Sequence, residues 1–196
     1  MQLPNPEPQH RVSDLIQLFN GLFLPHCNTV LVAGDDEPVY RPADAHYPHH
    51  RIVFAHGFFA SALHEIGHWC VAGPARRLQE DFGYWYKPDG RSASEQAEFE
   101  RVEVRPQAYE WIFAQAAGHP FHFSADNLAS GCGPSDAFQA NVKAEVQHLL
   151  SNGLAERPQL FAEALRAFYS TQPAGAFASL NQSSVEEALV HEPEMA

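Results

Sequence analysis

The sequence predicts an α+β fold, a single domain in which a small sheet is packed with helices. Three observations predict it. Two short runs rich in β-branched and aromatic residues, Thr29–Ala33 (TVLVA) and Arg51–Ala55 (RIVFA), are closed by turn residues, as buried strands are. The later half of the chain carries helix punctuation, with Pro106, Gly118, Ser135, Gly153 and Pro158 standing where helices start or stop. The 196 residues are 45% hydrophobic and 12% aromatic, enough to build one core.

Taken in order, residues 1–12 read as a flexible, Pro-rich leader, 13–170 as the folded domain, and 171–196 as a flexible tail whose only apolar segment is Val185–Val190. Ser13 can cap a short helix from Asp14 to about Phe19. The strand Thr29–Ala33 is closed by Gly34-Asp35-Asp36, and Tyr40–Pro48, with its prolines, reads as irregular. After the strand Arg51–Ala55, His56-Gly57 turns the chain into an apolar helix within Phe58–Gly73, stopped by Gly73-Pro74. Phe82–Tyr86 (FGYWY) reads as a third strand. A helical stretch runs from Ser94 through Glu98 to about Arg101, and Pro106 opens a separate helix, Gln107–Ala117, ended by Gly118. Ser135 caps a helix to about Ser151, and Pro158 opens the last one, to Tyr169.

Twenty-four acidic residues against 12 basic ones give a formal charge of −12, which disfavours non-specific nucleic-acid binding. No apolar run approaches membrane-spanning length, and the polar N-terminus has no signal core, so the expected location is the cytoplasm. Cys27, Cys70 and Cys132 are odd in number and lack a CxxC spacing, which argues against a disulfide framework or a Cys-rich zinc site. His46, His49 and His50 lie in a Pro-rich stretch and read as solvated.

The chemistry concentrates in His64-Glu65-Ile66-Gly67-His68, an HExxH pentad inside the apolar helix. One helical turn separates the histidines, about 6 Å along the axis and on one face, so two imidazoles can bind one divalent metal ion. Glu65 is the candidate catalytic residue: a general base in a hydrolase, or in an oxygenase a hydrogen-bond acceptor or the group that places a substrate amine. A third ligand is needed, and Asp81, Asp89, Glu95, Glu98, Glu100, Glu103 and Glu110 are available. Glu103 is the choice, set between Val102 and Val104 just before Pro106: on an extended path the valines face the core and Glu103 the cleft, whereas a helical path would put Glu100 and Glu103 on one face. Glu100 ranks second and Asp81 third. His56 is more simply a cap than a ligand, and Arg76-Arg77 more simply a solvated helix end than a docking patch. Trp69 and the aromatic run Phe82, Tyr84, Trp85 and Tyr86 belong mostly to the core, with one or two side chains walling a pocket for an aliphatic ammonium group.

The strings GDDEPVYRPADA (Gly34–Ala45), RIVFAHGFFASALHEIGHWCVAG (Arg51–Gly73), DFGYWYKPDGR (Asp81–Arg91), FERVEVRPQA (Phe99–Ala108), AAGHPF (Ala116–Phe121) and NGLAERP (Asn152–Pro158) together carry a resemblance. The sequence resembles the elongation factor P hydroxylase family of bacteria across about Gly34–Tyr169. The resemblance implies hydroxylation of the β-lysyl-modified lysine of translation elongation factor P, a zincin-like fold, and a 2-His-1-carboxylate centre in which His64 and His68 match the two histidines. Glu103 as the carboxylate is a placement made on this chain's own residues. Hydroxylating an unactivated C–H bond fits Fe(II) as the metal and O₂ as co-substrate. No nucleotide-binding motif and no HxD…H pattern is apparent. The alternatives are a zinc-dependent peptidase or other metal hydrolase, which HExxH alone would favour, and a non-enzymatic binding module for elongation factor P in which the metal is structural.

Overall fold

The computed structural model describes residues 10–82, 91–124 and 133–169. Among these are five α-helices and three strands: α1 (Val12–Cys27), β1 (Thr29–Ala33), β2 (Val39–Arg41), β3 (His50–Phe54), α2 (Phe59–Val71), α3 (Ala93–Ala117), α4 (Asp136–Asn152) and α5 (Glu156–Tyr169). The fold is α+β, as expected. The sheet has the order β1-β3-β2, with β1 parallel and β2 antiparallel to β3.

The first helix is longer than the sequence suggested. Leu15, Phe19 and Phe23 recur at four-residue spacing and are all buried, so the apolar stripe carries the helix past Phe19. Phe19 and Phe23 pack edge-on against Trp69 of α2 and meet Phe161 of α5. The helix ends at Asn28 in the left-handed conformation, whose N–H donates to Leu24 O. Ser13 lies inside the helix and does not cap it; Arg11 occupies that position. Across the gap to the sheet, the Asn20 side chain accepts from Leu31 N at 2.8 Å.

Part of the stretch read as irregular is strand. Val39–Arg41 pairs with Arg51–Val53, and Tyr40 also bridges Asp81 through two backbone hydrogen bonds of 2.8 and 3.0 Å. The third strand expected at Phe82–Tyr86 falls mostly on residues outside those described; Phe82 itself is not in a strand. Two of the histidines read as solvated organise the loop before β3. His50 Nδ1 accepts from Ala43 N at 2.9 Å, and His49 Nδ1 lies 2.7 Å from Asn28 Oδ1.

The largest correction concerns α3. The two helices expected around Arg101 and after Pro106 are one helix of 25 residues, with Pro106 inside it. A capping box starts it: Ser92 Oγ accepts from Glu95 N while Glu95 returns a hydrogen bond to Ser92 N. Gly118 ends it in the left-handed conformation. An interior proline costs a helix about 3 kcal/mol. Burial offsets this, since every residue from Pro106 to Ala114 is buried. The helix lies in the middle of the fold, packed against α2, α4 and α5.

Where α2 crosses α3, Gly67 faces the Pro106 carbonyl. A methyl group added at Gly67 would lie 2.7 Å from that oxygen. Both atoms in the clash are fixed to backbone, so neither can yield without moving a helix. Gly67→Ala is therefore expected to lower stability by about 1–3 kcal/mol, read as a lower urea midpoint at unchanged m-value. An unchanged midpoint would mean that the two helices separate without cost.

Candidate metal centre

His64 and His68 lie one turn apart on the face of α2 turned toward α3, because the apolar residues Leu63, Ile66 and Trp69 claim the rest of the helix for the core. Helix α3 supplies carboxylates to the same face. Glu103 is 3% exposed and Glu110 is 8% exposed, two turns apart on one side of the helix. The His64 and His68 Nε2 atoms are 3.0 Å apart. Glu103 Oε1 stands 3.3 Å from His68 Nε2 and Oε2 3.6 Å from His64 Nε2. On the other edge of the His64 ring, Nδ1 donates to Glu110 Oε2 at 2.8 Å.

The ligand atoms of His64, His68 and Glu103 all lie within 4.8 Å of one another. This trio fits a divalent ion on two counts. Ligands held about 2.1 Å from one ion stand about 3.0–3.4 Å apart, close to these separations. Glu103 Oε2 is also buried with no hydrogen-bond partner, a costly state for a carboxylate oxygen unless a cation meets it.

Charge is balanced tightly here. Burial would lower the His64 pKa, but the hydrogen bond and charge of Glu110, with the charges of Glu103 and Glu65, hold it well above the ordinary 6.5. Burial opposes protonation of His68 too, and Glu103 outweighs it, so His68 is also raised. Burial pushes Glu103 up, yet His68, His64 and Arg91 bring it below the usual carboxylate value. Glu65 is raised by burial, partly offset by the two histidines.

Glu65 and His68 line a shallow surface cleft. Tyr40, Ile52, Trp69 and Ala72 give it largely apolar walls, and Arg76, Arg77 and Asp81 complete it. Both arginines are engaged within the chain. Arg76 forms a two-pronged ion pair with Asp81, while Arg77 donates to Ala72 O at the end of α2. Arg157 caps the same helix end, donating to Trp69 O and Ala72 O at 3.3 and 3.4 Å with its guanidinium over the Trp69 ring.

The other sequence candidates lie elsewhere. Glu100 accepts from Ser135 N and Oγ, at 3.1 and 2.6 Å, and so anchors the start of α4. His56 sits in a turn at positive φ, its side chain exposed and 3.9 Å from Asp36. Tyr84, Trp85, Tyr86 and Asp89 lie outside the described residues. The extended path argued for Glu103 is overturned, because the segment is helical. Glu110 was one carboxylate among several in the sequence. Its seven-residue spacing from Glu103 places it at the centre only if the helix continues through Pro106.

The model of the family described as elongation factor P hydroxylase matches residues 18–178. The chain belongs to that family. It is an enzyme, a hydroxylase and so an oxidoreductase. Over 164 residues it is 51% identical to the elongation factor P lysine hydroxylase of Haemophilus influenzae, a match covering 84% of this chain and 92% of that relative. The family match, residues 18–178, starts earlier and runs later than the strings that carry the sequence resemblance, taking in most of α1. The hydrolase and non-enzymatic readings gain nothing from these matches.

Two measurements test the centre. Metal binding needs neutral imidazoles, and both histidines hold their protons above pH 6.5 in the metal-free protein. The stability these raised groups contribute is present below that pH and lost as pH rises through their folded values, while metal replaces protons over the same range. The rise in Tm on adding Zn(II) should therefore grow between pH 6 and pH 8.5; a constant increment would argue against these ligands. Glu103→Ala should weaken Zn(II) binding at least tenfold, measured by chelator competition. Glu100→Ala and Asp81→Ala should leave it within about twofold, with Glu100→Ala costing no more than about 1 kcal/mol of stability through the α4 cap.

Proposed function

We propose that this enzyme hydroxylates the β-lysyl-modified lysine of translation elongation factor P, with His64, His68 and Glu103 holding an Fe(II) ion and O₂ as co-substrate. The observation that supports it best is the convergence of two imidazoles and one buried, half-satisfied carboxylate, one of the imidazoles, His68, lining a cleft with apolar walls, in a chain that belongs to this family. Three protein ligands leave positions open, as a catalytic ion needs and a closed structural site does not. When bound, the ion supplies the one-electron chemistry that lets ground-state O₂ react with an unactivated C–H bond.

The chain's own groups do the rest. Tyr40, Ile52, Trp69 and Ala72 offer the methylenes of a long lysyl side chain an apolar wall. Glu65, which lines the cleft with His68, accepts a hydrogen bond from a substrate ammonium and so aims the adjacent carbon at the centre. Overall, one oxygen atom enters the C–H bond and the other leaves as water, drawing two electrons and two protons from a reductant. A substrate that serves translation would be met in the cytoplasm, and that location belongs to the same reading. The zincin-like relationship of the α2 helix, and the division into leader 1–12, catalytic unit 13–170 and tail 171–196, belong to the same proposal.

The test is the intact mass of β-lysylated elongation factor P after aerobic incubation with Fe(II)-loaded enzyme and a chemical reductant. A gain of one oxygen is expected, abolished in His64→Ala and His68→Ala. Glu65→Gln should keep the metal and lose at least tenfold in turnover. Metal-dependent cleavage of a casein-type peptide with no gain of mass would point instead to the hydrolase.

A further inference from the structure

The sequence gives no reason to single out Glu110, yet its place in the fold is unusual. It is a carboxylate in the middle of Pro106–Ala114, a run in which every residue is buried. An apolar side chain there would avoid the desolvation that a buried charge suffers. Its carboxylate is turned to His64, accepting from Nδ1 at 2.8 Å.

The ring edge is what matters. The candidate metal position lies on the Nε2 side of His64, where Nε2 is 3.0 Å from His68 Nε2 and 3.6 Å from Glu103 Oε2. Glu110 meets the opposite nitrogen, so it does not compete for the ion. A neutral imidazole carries one ring proton, and a carboxylate can only accept. The contact therefore holds that proton on Nδ1 and leaves the lone pair on Nε2, the nitrogen that faces His68 and Glu103.

We propose that Glu110 is a positioning residue: its carboxylate fixes the tautomer and ring orientation of His64 so that Nε2 is presented to the metal. This rests on the metal reading above. The helix makes the arrangement coherent. Glu103 and Glu110 are two turns apart on α3, and the Pro106 carbonyl between them abuts Gly67, so one rigid contact sets both the carboxylate ligand and the group that orients a histidine ligand. Gln107, on the same stretch, takes no part. Its amide is held by Ser124, donating to O at 2.6 Å and accepting from N at 3.3 Å.

The test needs no turnover. Zn(II) affinity is measured by competition with a chromophoric chelator for the parent, Glu110→Ala and Glu110→Gln, alongside urea unfolding of each metal-free protein. The Nδ1 proton of His64 is followed by ¹H–¹⁵N NMR of the Zn(II)-loaded forms. Glu110→Ala should weaken Zn(II) about 10–100-fold and abolish the slowly exchanging Nδ1 proton signal. Glu110→Gln retains an acceptor but not the charge. It should keep the signal and lose at least threefold in affinity, which gives a reading even if the alanine variant does not fold. A merely structural role predicts lower metal-free stability with parental Zn(II) affinity in both variants, and that result would overturn the proposal. If the parent itself binds no Zn(II), the metal reading falls and takes this inference with it. If the parent binds and the Glu110 variants bind equally well, only this inference falls.

Discussion

The contact on which the structure depends is the close approach of α2 and α3 at Gly67. With no side chain on one helix and a bare carbonyl on the other, the two backbones meet at a distance no larger residue allows. Everything chemical is arranged around that point: the histidines of α2 one position to one side and three to the other, the carboxylates of α3 three positions before Pro106 and four after it. Helices that stood farther apart would leave the same residues unable to share a centre.

That closeness has an electrostatic cost which only a full set of partners relieves. Three carboxylates, Glu65, Glu103 and Glu110, act on the His64 imidazole, and two of them, Glu103 and Glu65, on that of His68. With the imidazoles neutral, three carboxylates face Arg91, and protonating both imidazoles brings the charges level. A divalent cation on neutral imidazoles would supply the same two positive charges without occupying the nitrogens with protons, and it would meet the oxygen of Glu103 that no hydrogen bond reaches. The core around the cluster is the complementary feature. Trp69 locks α2 onto Phe19 and Phe23 of α1, and Arg77 and Arg157 close the exposed carbonyls at the helix end. The helix that presents the histidines is thereby fixed at its end and along its apolar face.

What could be read from the sequence was what is local. The β1 strand and the α2 helix announce themselves as apolar runs closed by turn residues, and the caps at Gly118 and Ser135 through the special needs of helix ends. The strand Val39–Arg41 could not be seen, because three residues become a strand only through pairing with β3 and Asp81. Pro106 misled for a related reason: in isolation it marks a start, and only the burial of the whole following segment makes it tolerable in an interior. At the site, the two histidines follow from spacing alone. Glu103 reaches them by a helical path where an extended one was argued, and Glu110 needs the continuity of α3 to be noticed at all. Choosing among acidic residues requires knowing which face of which helix they share, and that is a property of the packed chain.

Asn20 shows how an edge can be finished without another strand. The backbone of β1 has β3 on one side, and on the other its Leu31 N–H would be an open hydrogen-bonding position. The amide oxygen of Asn20 fills it from the neighbouring helix, doing what a fourth strand would otherwise do. A small sheet closed in this way offers an extended segment of another chain one fewer place to begin pairing. The side chain of one residue in α1 thus bears on whether molecules crowded together in a cell stay separate or zip edge to edge.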